Sequence, residues 1–128
     1  MTLVDSDVII AHLRGHQEAR SWLVSARRDG PLSISAVTVA EVTGGMRSAE
    51  RQEVRRLLAS FTCEPVTRQV GERAGDLRRQ FRRSHATIST ADYLIAATAL
   101  VRDLSLSTLN VRHFPMFAGL QAPFTLST

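Results

Sequence analysis

Lysine is missing altogether: all 16 basic residues among the 128 are arginine. That absence removes every mechanism that needs a lysine nucleophile, a Schiff base or a lysine balancing a phosphate. Cysteine occurs once, at Cys63, so no internal disulfide can form and cysteine-rich zinc ligation has no material. The residue reads as a small buried apolar side chain. Aromatics are scarce, with one Trp, one Tyr and five Phe, and most fall at apolar-face positions where core packing takes precedence over stacking on bases. No stretch approaches the roughly 20 apolar residues of a membrane span. Residues 1–7 lack the basic start and longer apolar core of a signal peptide, so the expected setting is cytoplasmic, with no membrane. Neither Gly-x-Gly-x-x-Gly nor a phosphate-binding glycine loop occurs, which speaks against nucleotide cofactors.

What is present is an ordinary globular composition, 44% hydrophobic and 22% charged, without repeats or low-complexity tracts. The length predicts a single domain over residues 1–128. A formal charge of +4 carried by arginine forks points to a polyanionic partner, although base bias in the genome is the simpler source of the missing lysines.

Apolar strands are expected at residues 2–5, 32–35, 63–66 and 104–107, with a possible edge strand at 124–126. Helical spacing is expected over 8–13, 16–28, 38–46, 49–60, 68–83 and 90–102. The stretch 90–102 is apolar on nearly every side and predicts a central buried helix. Strands alternating with helices give an α/β fold with a central, mostly parallel sheet of four to five strands. Ligands then belong outside the carboxyl ends of the strands, where Asp5 and the segment Ser107-Thr108-Leu109-Asn110 fall.

Three carboxylates sit awkwardly. Asp5 closes the run Leu3-Val4, Glu41 follows Ala36-Val37-Thr38-Val39-Ala40, and Asp92 opens Tyr93-Leu94-Ile95-Ala96-Ala97. Burying ionised carboxylates costs several kcal/mol unless a cation holds them, so their convergence would make a hard, oxygen-rich site for Mg²⁺ or Mn²⁺. Each also has a purely structural reading. Thr38-x-x-Glu41 and Ser89-x-x-Asp92 fit capping boxes, and Asp5 precedes a helix start. Asp7, on the strand-to-helix turn, reads as a helix-start acid pointing away.

The order of four segments narrows the choice: strand-Asp5-Ser6-Asp7, then Val39-Ala40-Glu41-Val42, then Thr90-Ala91-Asp92-Tyr93-Leu94-Ile95-Ala96-Ala97, then Ser107-Thr108-Leu109-Asn110-Val111-Arg112-His113-Phe114. Together they closely resemble the PIN-domain ribonucleases, and within them the VapC toxins of bacterial toxin–antitoxin pairs. The resemblance implies a three-layer α/β/α fold, an acidic pocket binding Mg²⁺ or Mn²⁺, and endonucleolytic cleavage of RNA. Asp5, Glu41 and Asp92 match the first three acidic positions as metal ligands and catalytic groups, with Glu41 a ligand or the base for the attacking water. Ser6 and Thr108 are candidates for supporting hydrogen bonds. Where many members carry a fourth aspartate this chain has Asn110 and His113; Asn110 can hold a water or a carboxylate but adds no negative charge. The resemblance also implies a cognate antitoxin covering the pocket and a homodimer, for which apolar residues between Thr38 and Ser60 are the expected interface.

Arg78, Arg79, Arg82 and Arg83, spaced i, i+4 on one helix, read either as a solvated face or as a grip on RNA phosphates, with Arg112 near the pocket a further candidate. Haloacid-dehalogenase-type phosphatases and phosphoacceptor receivers also place an aspartate at a strand end, but both use a lysine that this chain lacks. The remaining alternative is a weak or silent nuclease that binds RNA or protein without cutting.

Overall fold

The structure is a computed structural model and describes residues 1–126. Four short parallel strands, β1 (Thr2–Val4), β2 (Leu32–Ser35), β3 (Thr62–Glu64) and β4 (Ser105–Ser107), form one sheet in the order β3-β2-β1-β4. The helices are α1 (Ser6–Leu13), α2 (Gln17–Arg28), α3 (Ala36–Gly44), α4 (Arg51–Ala59), α5 (Arg68–Phe81) and α6 (Thr90–Val101). The expected α/β class is observed, and residues 124–126 add no fifth strand.

Strand alternation divides the core into two layers. Leu3 and Leu106 face a cluster with Val70, Leu77, Ile95 and Phe114, whereas Val4, Leu32 and Ile34 face Val8, Ile9, Leu23 and Val54 on the other side. Each sheet face is therefore covered by helices, as a parallel sheet requires. Helix α6 buries Tyr93 and every residue from Ile95 to Ala99, which explains its lack of a polar face. Its chain then turns at Asp103, whose φ of 55° is a left-handed conformation that aspartate tolerates better than most residues.

Edge strand β3 corrects one expectation. Cys63 is exposed, and it is Glu64 that is buried, with its charge answered by Arg102 at 3.2 Å. Helix α3 corrects another: its N-cap is Ser35, whose hydroxyl accepts from the Val37 amide, so Thr38 lies inside the helix and does not cap it with Glu41. Strands β1 to β3 run outward in one direction, and β4 then joins the free side of β1. That reversal makes the carboxyl ends of β1 and β4 the sheet's switch point, outside which open α/β sheets generally bind ligands. Among the described residues no helix is long and apolar enough to cross a membrane.

Candidate active site

Asp5 follows β1 at this switch point and is only 5% exposed. It is the N-cap of α1, accepting from the Ser6 amide at 2.8 Å, so the capping reading is correct as far as it goes. Its second oxygen has another role: Thr108, just past β4, donates its hydroxyl to Asp5 Oδ2 at 2.7 Å across 103 positions of sequence. Asp7 joins the same group. Its Oδ2 accepts from the Leu109 amide at 3.0 Å and lies 3.3 Å from the Thr108 hydroxyl, while its Oδ1 is buried without a partner.

Asp7 therefore points inward, contrary to expectation, and sequence reasoning missed it. Residues two apart diverge by about 200° on a helix, which suggested opposite directions. Asp5, however, is extended (φ −74°, ψ 158°), so its side chain does not follow the helical projection and the two acids converge.

Electrostatics record the crowding. Burial first, then the neighbouring Asp7 and more weakly Asp92, push the Asp5 carboxyl up from 3.8 to about 7, against the pull of its hydrogen bonds from Thr108 and Ser6. Asp7 is raised by burial. Glu41, at an exposed position on α3, is raised by partial burial of its carboxyl and by Asp92 and Asp7, while a hydrogen bond from Ser6 draws it down. Asp5 and Glu41 thus both feel the charges of Asp7 and Asp92, the four acids coming from two helix starts, α1 and α6, and the middle of α3.

Asp92 forms the capping box foreseen for it: Ser89 Oγ accepts from its amide at 3.2 Å and its Oδ2 accepts from the Ser89 amide at 3.1 Å. The same oxygen lies 2.9 Å from His113 Nδ1, which is in turn 2.8 Å from Asn110 Nδ2. A protonated Nδ1 donates to the carboxylate, and a bare one accepts from the amide. Asn110 and Asp92 thus share one ring nitrogen of His113, which brings the segment after β4 against the start of α6.

The donor set has the chemistry of a hard divalent ion's site: carboxylate oxygens, mutually repelling, with a buried Asp7 oxygen lacking any partner. Among the described residues, no three His, Cys, Asp or Glu side chains form a group that could hold an ion as they stand. Arg78, Arg79, Arg82, Arg83 and Arg112 are all exposed, but α5 ends at Phe81, leaving Arg82 as its cap and Arg83 beyond it rather than all four on one helix. Between Thr38 and Ser60 there is no exposed large hydrophobic residue; among the described residues these are Met1, Val24 and Val66, because Val42, Val54 and Leu58 are spent on the core.

A family model described as PIN domain matches residues 2–118. The chain is 64% identical over 126 residues to Ribonuclease VapC10 of Mycobacterium tuberculosis, covering 98% of this chain and 95% of that one. To Ribonuclease VapC19 of the same species it is 38% identical over 125 residues, 97% of this chain and 100% of the other. A chain in a solved toxin–antitoxin complex from Klebsiella pneumoniae superposes with a TM-score of 0.81 at 26% identity, covering 98% of this chain and all of that one.

Proposed function

Because the chain belongs to the PIN domain family, we propose that it is an endoribonuclease dependent on Mg²⁺ or Mn²⁺, the toxin member of a toxin–antitoxin pair acting in the cytoplasm. The observation that carries this reading is Asp5: a carboxyl buried at the sheet's reversal point and lifted to about 7 by burial and by neighbouring acids. Such an arrangement is costly in an ion-free protein and is relieved when a cation is held.

Asp5 and Asp92 would hold the ion, and Glu41 would complete its shell or take the proton of the attacking water. A bound divalent ion supplies charge neutralisation at the phosphate and a more acidic water. The chain's own residues do the positioning. Thr108 fixes the Asp5 carboxylate through Oδ2, and Asp7 ties the Leu109 amide to the start of α1, holding the segment that carries Asn110 and His113. His113 and Ser89 orient Asp92. Glu41, exposed and raised by partial burial and by the neighbouring acids, is a better proton acceptor than an unperturbed glutamate. Arg78, Arg79, Arg82, Arg83 and Arg112 supply a grip on the RNA backbone that does not read sequence.

The experiment is to incubate the purified protein with structured RNAs in Mg²⁺, Mn²⁺ or chelator, beside Asp5→Asn and Asp92→Asn. Cleavage that survives chelation or either substitution would end the metal mechanism. Metal-independent binding without cleavage would establish the silent module, the reading favoured by Asn110 in place of an acid.

An antitoxin partner follows from the relatives' association with toxin–antitoxin pairs. A groove of about 200 Å³ lined by Ile10, Leu13, Glu41, Val42, Met46 and Val54 reaches the acidic site. An apolar segment carrying a basic side chain would fill the groove and neutralise Glu41. A homodimer belongs to the same proposal, and light scattering of the free protein tests it.

A further inference from the structure

A second concavity of about 540 Å³ lies between residues 84–87, in the loop joining α5 to α6, and Val111, Arg112 and Pro115, after β4. Its size falls in the roughly 300–1,000 Å³ range of ligand pockets. Both walls are the chain flanks of Asp92. Thr87 precedes the Ser89 cap, and Arg112 adjoins His113, whose Nδ1 is 2.9 Å from Asp92; adjacent Cα atoms are about 3.8 Å apart, so the pocket begins next to the acids.

The lining combines a fixed ring, a flat apolar surface and unanswered positive charge. The half-buried His85 ring is held by Ser84 Oγ, 2.8 Å from Nδ1, and stands edge-on to Phe81 at 5.9 Å and 75°. Ala86, Val111 and Pro115 give the apolar surface. Arg112 is the lining's one cation; it is exposed and, among the described residues, forms no ion pair. A planar base stacks on a ring such as that of His85, and the phosphate beside it pairs with a guanidinium.

We propose that this pocket is a subsite for one unpaired nucleotide of an RNA strand, His85 stacking on the base and Arg112 holding its phosphate, next to the phosphodiester at the acids. The placement rests on the ribonuclease reading; the pocket's affinity for a single strand does not. A paired base cannot offer its face, so the subsite selects single-stranded RNA.

Fluorescence anisotropy with a labelled single-stranded RNA dodecamer in excess chelator measures the subsite without cleavage. His85→Ala and Arg112→Gln should each weaken binding about five- to tenfold, the scale of one lost stacking or phosphate contact. His85→Phe, which keeps a stacking ring, should restore most of the affinity. Arg28→Gln on α2 should change little, and a duplex of the same sequence should bind alike to the wild type and both His85 variants, because a paired base has no free face to stack. Thermal melting confirms folding of each variant. Unchanged binding by both His85→Ala and Arg112→Gln, no rescue by His85→Phe, or no wild-type binding would overturn the subsite. Failure to cleave any RNA alongside the expected anisotropy pattern would remove the ribonuclease reading and leave the subsite standing.

Discussion

Replacing Asp5 with asparagine should make the ion-free protein more stable while abolishing its cleavage of RNA. The folded carboxyl gives up its proton only near 7, whereas 3.8 is its ordinary value. Between those pH values the folded state binds more protons than the unfolded one, so Asp5 makes stability fall as pH rises. Carried through to pH 8, the penalty is about 4 kcal/mol, of which about 2 kcal/mol develops between pH 5.5 and 8. Asparagine has nearly the same shape, keeps an oxygen for the Ser6 amide or the Thr108 hydroxyl, and carries no charge. The assay is urea unfolding in chelator across pH 5.5 to 8. Subtracting the Asp5→Asn curve from the wild type cancels the contributions of the other titrating groups to first order. Adding Mg²⁺ at about a hundred times its dissociation constant should restore about 2.7 kcal/mol to the wild type and far less to the variant. A wild type as stable as Asp5→Asn at pH 8, with no pH dependence in the difference, would refute both the crowding of charge and the need for a cation.

Thr108→Val leaves the buried Asp5 oxygen without its donor and should cost about 1–3 kcal/mol, with a ten- to hundredfold loss of Mg²⁺ affinity by calorimetry. Glu41→Gln and Asp92→Asn should each lower RNA cleavage by more than about a hundredfold, exceeding the loss from the supporting Thr108; a smaller loss would move that residue out of the site. Converting Arg78, Arg79, Arg82 and Arg83 together to glutamine should reduce the slope of log affinity for single-stranded RNA against log salt by up to about 3, whereas an unchanged slope would leave them a solvated face. Leu77→Ala, in the cluster joining α5 to α6, should cost about 2–5 kcal/mol by denaturant unfolding, and a loss below 1 kcal/mol would contradict its burial there.

The architecture was readable because its signals are local and agree with one another. The apolar run at Leu32–Ser35 and the all-round apolar stretch after Ser89 have few alternatives to a buried strand and a buried helix. Boundaries depended on subtler competition. Ser35 caps α3 ahead of Thr38 because its hydroxyl reaches the Val37 amide, and nothing in the spacing favours one over the other. The inward turn of Asp7 was illegible because it depends on the Leu109 amide, which the sheet delivers from 102 positions away. Exposure of Cys63 follows from β3 lying at the sheet edge, a matter of strand order that composition does not encode. The pairing of Asp92 with His113 likewise needed the fold, since sequence separates them by 21 positions.

The hydrogen bond from Thr108 to Asp5 also has a temporal consequence. Synthesis is vectorial, and the first strand emerges long before the last, so a growing chain carries Asp5 without Thr108, Leu109 or His113 for most of its time on the ribosome. Thr108 cannot reach Asp5, nor the Leu109 amide Asp7, until β4 slots in beside β1, a pairing of high sequence separation and correspondingly slow closure. The hydrogen bonds that fix Asp5, Asp7 and Asp92 are thereby completed only after residues 108–113 have been made, so the site's final geometry is among the last things the chain acquires.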